Sequence, residues 1–136
     1  MENKSRAAVI FLIVSAIMYG ALGFLFLINP AGMSTGLGYE NLNSAGLTDV
    51  MATYGGLEIG IGLSIFYCAK TGRVETGLLI VLLTFGGFAF GRVMGAFKFG
   101  GFNGLHFYWF LTEIFYIFLT CIFIKKSNSK LMEANA

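Results

Sequence analysis

The chain has 136 residues, of which 57% are hydrophobic and only 12% charged, against about a quarter charged in soluble domains. With a mean hydropathy of +0.78, this excludes an ordinary soluble domain and describes one integral membrane domain over residues 1–136. A net charge of +2 is too small to suggest nucleic-acid binding, and its distribution says more than its size.

In chain order, the first apolar run covers residues 7–28. A helix rises about 1.5 Å per residue, so about 20 apolar residues cross the hydrocarbon core. Asn29-Pro30 closes the run, because proline disfavours helix in the residue before it. The run exceeds the h-region of about 7–15 residues in a secretory leader, and no clean small-x-small cleavage site follows, so it is expected to remain as a span. Residues 31–47 are rich in Gly, Ser and Asn and read as a loop with room for one short interfacial turn. The second span is predicted over 49–69, with Asp49 favouring its N-terminus through the helix dipole. Lys70-Thr71-Gly72-Arg73 reads as a tight turn before a third span over 74–97. A glycine-broken turn at 98–103 then leads to a fourth span over 104–124 and a polar, frayed tail over 125–136.

Basic residues orient these spans. Lys4, Arg6, Lys70, Arg73, Lys125, Lys126 and Lys130 flank one side, and Lys98 lies on the other. The positive-inside rule places both termini in the cytoplasm. The expected fold is all-α: a four-transmembrane-helix antiparallel bundle, N-in and C-in, with the 29–48 and 98–103 connections facing outward. Cys68 and Cys121 fall near the cytoplasmic helix ends, where thiols stay reduced. They read as small apolar fillers, with a redox or metal pair as the alternative.

Three ionisable residues interrupt the apolar runs: Glu58, Arg92 and Glu113. A charge at mid-membrane costs several kcal/mol and is rare unless paired or functional. Glu58 and Glu113 are expected roughly 13 Å below the outer edge and Arg92 roughly 8 Å below it. An arginine side chain spans that difference, so the three are expected to converge. The guanidinium fork can serve two carboxylates, which leaves one surplus negative charge. Either one glutamate carries a proton or a further donor completes the site. His106, seven residues before Glu113, is on the same helix face. Tyr54, four residues before Glu58, is placed to donate to it. The alternatives are a triad that only locks helix packing and a proton or ion path; the latter lacks matching charges in the cytoplasmic half of every span.

Gly87, Gly91 and Gly95 form a GxxxGxxxG stripe, and Gly56 and Gly60 follow the same spacing in the second span. Such stripes let helix backbones approach closely, within the bundle or between copies. Gly91 and Gly55 also leave room near Arg92 and Glu58 for the guanidinium or a ligand head group. The aromatics of the fourth span, Trp109 among them, read as an interfacial belt or as a wall around an apolar ligand. There is no Glu-x-x-His pair, a single histidine argues against haem or zinc, and no P-loop or dinucleotide fingerprint occurs. The sequence therefore assigns no catalytic residue, no metal and no cofactor, and leans away from an enzyme.

Tyr54-Gly55-Gly56-Leu57-Glu58, Gly86-Gly87 with Gly91-Arg92, and Glu113 together resemble the pattern of the domain of unknown function 4345 family, small four-helix bacterial membrane proteins. The resemblance covers nearly the whole chain; its second-helix motif is fairly specific and the others are weak alone. It implies a bacterial inner-membrane protein with no established activity. At the level of architecture the chain is also similar to small DoxX-like four-helix proteins, some associated with quinone-linked respiration. The expected function is binding of a lipid-like or small amphipathic ligand in an outward-half polar pocket between spans two, three and four. The alternative is an accessory subunit of a larger membrane complex, with the triad as packing glue. Expected partners are membrane lipids, with a membrane-protein partner or a homo-oligomer left open, and no nucleic acid.

Overall fold

The computed structural model describes the backbone of residues 6–102 and 104–134, and side chains as far as residue 127. The chain is helical, with no strand among the described residues: α1 Arg6–Ile28, α2 Pro30–Gly36, α3 Ser44–Val50, α4 Glu58–Lys70, α5 Val74–Phe99 and α6 Gly104–Ala134. A π-helical turn, Met51–Leu57, joins α3 to α4 without a break. Four helices, Arg6–Ile28, Ser44–Lys70, Val74–Phe99 and Gly104–Ser127, are long and apolar enough to cross a membrane.

Local chemistry sets the boundaries. Asn29 does more than end α1. Its Oδ1 accepts the Gly32 N–H at 3.1 Å, and Pro30 occupies the first turn of α2, where its missing N–H costs nothing. The second span starts at Ser44 rather than 49, because Asn43 is the cap: its Oδ1 accepts the Gly46 N–H at 2.9 Å. Gly72, at φ +74°, turns α4 back towards α5, a conformation that suits glycine. α5 closes on Gly100 at φ +93°, whose N–H bonds the Ala96 carbonyl at 3.1 Å. α6 runs past Lys125 and Lys126 to Ala134, so the stretch expected to fray is helical there.

Helix α1 packs most extensively on α4, and α5 on α6; α4–α5 and α1–α5 contacts close the bundle. Leu12, Ala16, Tyr19, Ile65, Leu78, Val81 and Phe85 form its centre. The buried residues of α1, from Ala8 through Leu12, Ala16, Tyr19 and Phe26, recur every three or four positions and so share one face. Ile10, Val14, Ile17 and Phe24 are exposed, as suits a helix bathed in lipid. Phe85 stacks on Tyr116 with centroids 4.4 Å apart and also touches Tyr19 at 5.6 Å. These rings bind α1, α5 and α6 together.

The closest helix approaches fall at Gly23, Gly55, Gly62 and Gly77. A Cβ on Gly23 would lie 2.7 Å from the Gly55 carbonyl oxygen, and one on Gly62 would lie 2.9 Å from that of Ala16. By contrast, a Cβ on Gly60, Gly87, Gly91 or Gly95 would meet nothing within 4 Å, and one on Gly56 only the Met51 oxygen at 3.9 Å. The expected intramolecular packing at these five glycines is replaced by the other four. The reason is rotational: α5 turns Gly77, Leu78, Val81, Phe85 and Ala89 inward, and Gly87 and Gly91 lie on its exposed side.

Candidate functional site

Arg92 lies on α5 one and two turns beyond Ala89 and Phe85, so its side chain leaves the bundle-facing side. Its Nε donates to Glu113 Oε1 of α6 at 2.6 Å, with side-chain exposures of 24% and 5%. The distance is that of a short charge-assisted hydrogen bond, and it ties α5 to α6 at this level.

The pair borders a cavity of about 230 Å³. Met18, Tyr19, Leu22 and Phe26 of α1 form one wall, and Phe85, Phe88 and Arg92 of α5 another. His106, Trp109, Thr112 and Glu113 of α6 supply a third, with Tyr54 and Glu58 beside them. Gly32, Met33, Gly36, Leu37 and Tyr39 complete the lining. The segment from α2 to Tyr39 thus closes one side of the cavity. All five residues expected at a site, Glu58, Arg92, Glu113, Tyr54 and His106, line this one space.

They do not form the expected triad. Glu58 lines the cavity but makes no ion pair with Arg92, whose partner is Glu113. Glu58 is only 7% exposed and Glu113 only 4%, and one carboxylate oxygen of each, Oε2, is buried without a hydrogen-bond partner. The Tyr19 hydroxyl and the Trp109 Nε1–H are orphaned in the same way. Most buried polar groups in folded proteins find partners, so four unsatisfied atoms around one cavity form a concentration of unused bonding capacity. Tyr54, expected to donate to Glu58, instead shares a 3.2 Å hydroxyl contact with Tyr39. Its ring stacks on Phe26 at 5.1 Å.

The π-helical turn positions Tyr54 and Glu58. π turns are rare and concentrate at functional sites. This one contains Tyr54, Gly55, Gly56 and Leu57 and delivers Glu58 as the first residue of α4. Gly55 lets α1 cross it closely at Gly23, bringing the α1 wall within reach of Glu58.

The residue pattern points to a pocket between the last three spans and leaves out the α1 wall and the α2 cover. Tyr19 carries a usable signal as the one tyrosine in the first apolar run. Trp109 lies four residues before Glu113, hence on its face, but among so many aromatics it reads as an interfacial residue.

The fold and cavity define a class: a multi-pass helical membrane-type bundle with a polar-lined internal space. The family model described as Domain of unknown function (DUF4345) matches residues 7–124, and the chain belongs to that family. The match includes every residue that lines the cavity. No curated protein matches the chain, nor does any solved structure.

Proposed function

We propose that this protein binds a small amphipathic or lipid-like molecule in the cavity beneath α2. The spans form an antiparallel bundle in the bacterial inner membrane with both termini in the cytoplasm, so the cavity lies in the outer half. One observation carries this reading: four residues that each hold a buried polar atom without a partner, Tyr19, Glu58, Trp109 and Glu113, line a single cavity whose other walls are mainly aromatic and aliphatic, with Arg92, His106 and Thr112 among them. A purely structural triad would satisfy its members internally, because a partly satisfied buried network costs stability. The volume, about 230 Å³, falls below the range of about 300–1,000 Å³ typical of drug-sized sites. It suits a head group with a short body rather than a two-chain phospholipid.

Native mass spectrometry from mild detergent tests the reading. The wild-type chain is expected to carry a small adduct. The triple variant Glu58→Gln, Arg92→Met, Glu113→Gln is expected to lose it while keeping its helix content. Adduct-free wild type across several mild detergents overturns the proposal.

A second reading, an accessory subunit or homo-oligomer, is favoured by the glycine stripe of α5. Gly87 and Gly91 are exposed beside Phe90 and Met94, a surface suited to another membrane helix. The two readings are compatible, and the same spectra report stoichiometry.

A further inference from the structure

The ligand's chemical class can be read from the charges and rings around the cavity; this step rests on the binding function proposed above. The carboxyl and guanidinium groups of the lining are Glu58, Glu113 and Arg92. In formal charge, two carboxylates and one guanidinium sum to −2 + 1 = −1. The guanidinium already engages Glu113. That leaves the Glu58 carboxylate, more than nine-tenths buried and with one oxygen unpartnered, as the uncompensated group. A buried carboxylate without a counter-charge is strongly unfavourable and gives way to the neutral acid; an incoming cation supplies the counter-charge that the ionised form lacks.

The apolar walls favour the same class. Seven aromatic residues line this small space, Trp109 with Tyr19, Tyr39, Tyr54, Phe26, Phe85 and Phe88. Ring faces attract cations, and most strongly where water is excluded. An anionic ligand would face two carboxylates and compete with Glu113 for Arg92. A neutral one would bring no counter-charge to the Glu58 carboxylate. We infer that the cavity takes a small organic monocation, a primary or quaternary ammonium on a short aryl or alkyl body, with its charge at Glu58 and its body among the rings.

The chain supplies its own reporter, since Trp109 is the single tryptophan and lies in the cavity wall. Purified full-length protein is titrated with three probes of matched body: 3-phenylpropyl-trimethylammonium, 3-phenylpropanol and 3-phenylpropionate. Trp109 emission is followed, with calorimetry as a second readout. The cation is expected to bind about tenfold or more tighter than the alcohol, the carboxylate least. Glu58→Gln, which keeps volume and removes charge, is expected to abolish the preference for the cation while the alcohol still binds.

Equal or tighter binding of the alcohol or the carboxylate overturns the assignment of charge and leaves the binding function standing. Preference for the cation that persists in Glu58→Gln overturns the role of that residue. Should none of the three change Trp109 emission or release heat, the monocation assignment fails. An adduct-free wild-type spectrum, obtained separately, would remove the binding function as well. The comparison of probes needs only the wild-type chain, so it decides the ligand's charge even where a variant fails to fold.

Discussion

At the scale of single residues, the Arg92–Glu113 pair makes an asymmetric prediction. Removing one member of a buried pair typically costs about 3–5 kcal/mol, because the other is left charged and uncompensated. The two members are not equivalent. An arginine stays ionised in any protein environment, whereas a stranded carboxyl can take a proton and become neutral. Glu113→Leu, which strands the guanidinium, is therefore expected to destabilise the bundle more than Arg92→Met, which strands the carboxyl. The double variant Arg92→Met, Glu113→Leu is expected to recover part of the loss, since two apolar side chains of similar size replace both charges. Thermal unfolding in one detergent, followed by circular dichroism, gives the order. If Arg92→Met proves the worst of the three, the bond between Nε and Oε1 is not what holds α5 to α6.

At the scale of elements, the glycines divide into two sets with opposite expected behaviour. A Cβ on Gly23 or Gly62 would meet backbone atoms of the facing helix at 2.7 Å and 2.9 Å, and backbone cannot rotate aside. Gly23→Ala and Gly62→Ala are expected to cost about 1–3 kcal/mol. On α5, Gly87→Ala, Gly91→Ala and Gly95→Ala meet open space. They are expected to be neutral or to stabilise by up to about 1 kcal/mol each, since alanine orders a helix at less entropic cost than glycine. Unfolding midpoints of these five variants separate the sets. A stability loss from Gly91→Ala would mean that the exposed stripe is covered in the folded state by something other than this chain. Size-exclusion chromatography of the bulkier Gly91→Leu would then distinguish a second copy from a different partner. The spacing rule fails here for a physical reason. A GxxxG repeat states that close approach is sterically allowed along a stripe, but the rotation of α5 is set by its larger residues, Leu78, Val81 and Phe85, which seek the core. The π-helical turn is equally hidden: its bonds reach one residue further than those of an α-helix, and nothing in Met51–Leu57 beyond two adjacent glycines marks the difference.

For the whole molecule, legibility follows energy scale. Four long apolar runs stand out because exposing them to water is prohibitive, and four helices long and apolar enough to cross a membrane correspond to them. Glu58, Arg92 and Glu113 stand out for the inverse reason: a charge in an apolar run is conspicuous. What the sequence does not carry is how the weaker interactions divide among near-equivalent partners. Arg92 meets one carboxylate and not two, Tyr54 meets Tyr39 and not Glu58, and α2 closes one side of the cavity where the sequence reads as a loop with at most a short interfacial turn. Orientation belongs to this scale too. The described turn between α4 and α5 carries Lys70 and Arg73, and α6 carries Lys125 and Lys126 beyond its apolar stretch; Lys98 lies near the end of α5. By the positive-inside rule this asymmetry predicts that the turn is cytoplasmic and that the segment from α2 to Tyr39, with the cavity beneath it, is on the outer side. In a background where Cys68→Ala and Cys121→Ala remove both thiols, Glu40→Cys is expected to react with a membrane-impermeant maleimide in cells whose membrane is intact. Thr71→Cys, equally exposed in the fold, is expected to react only after that membrane is permeabilised. The reverse pattern would turn the cavity towards the cytoplasm, and any ligand would have to be sought among cytoplasmic rather than external amphiphiles.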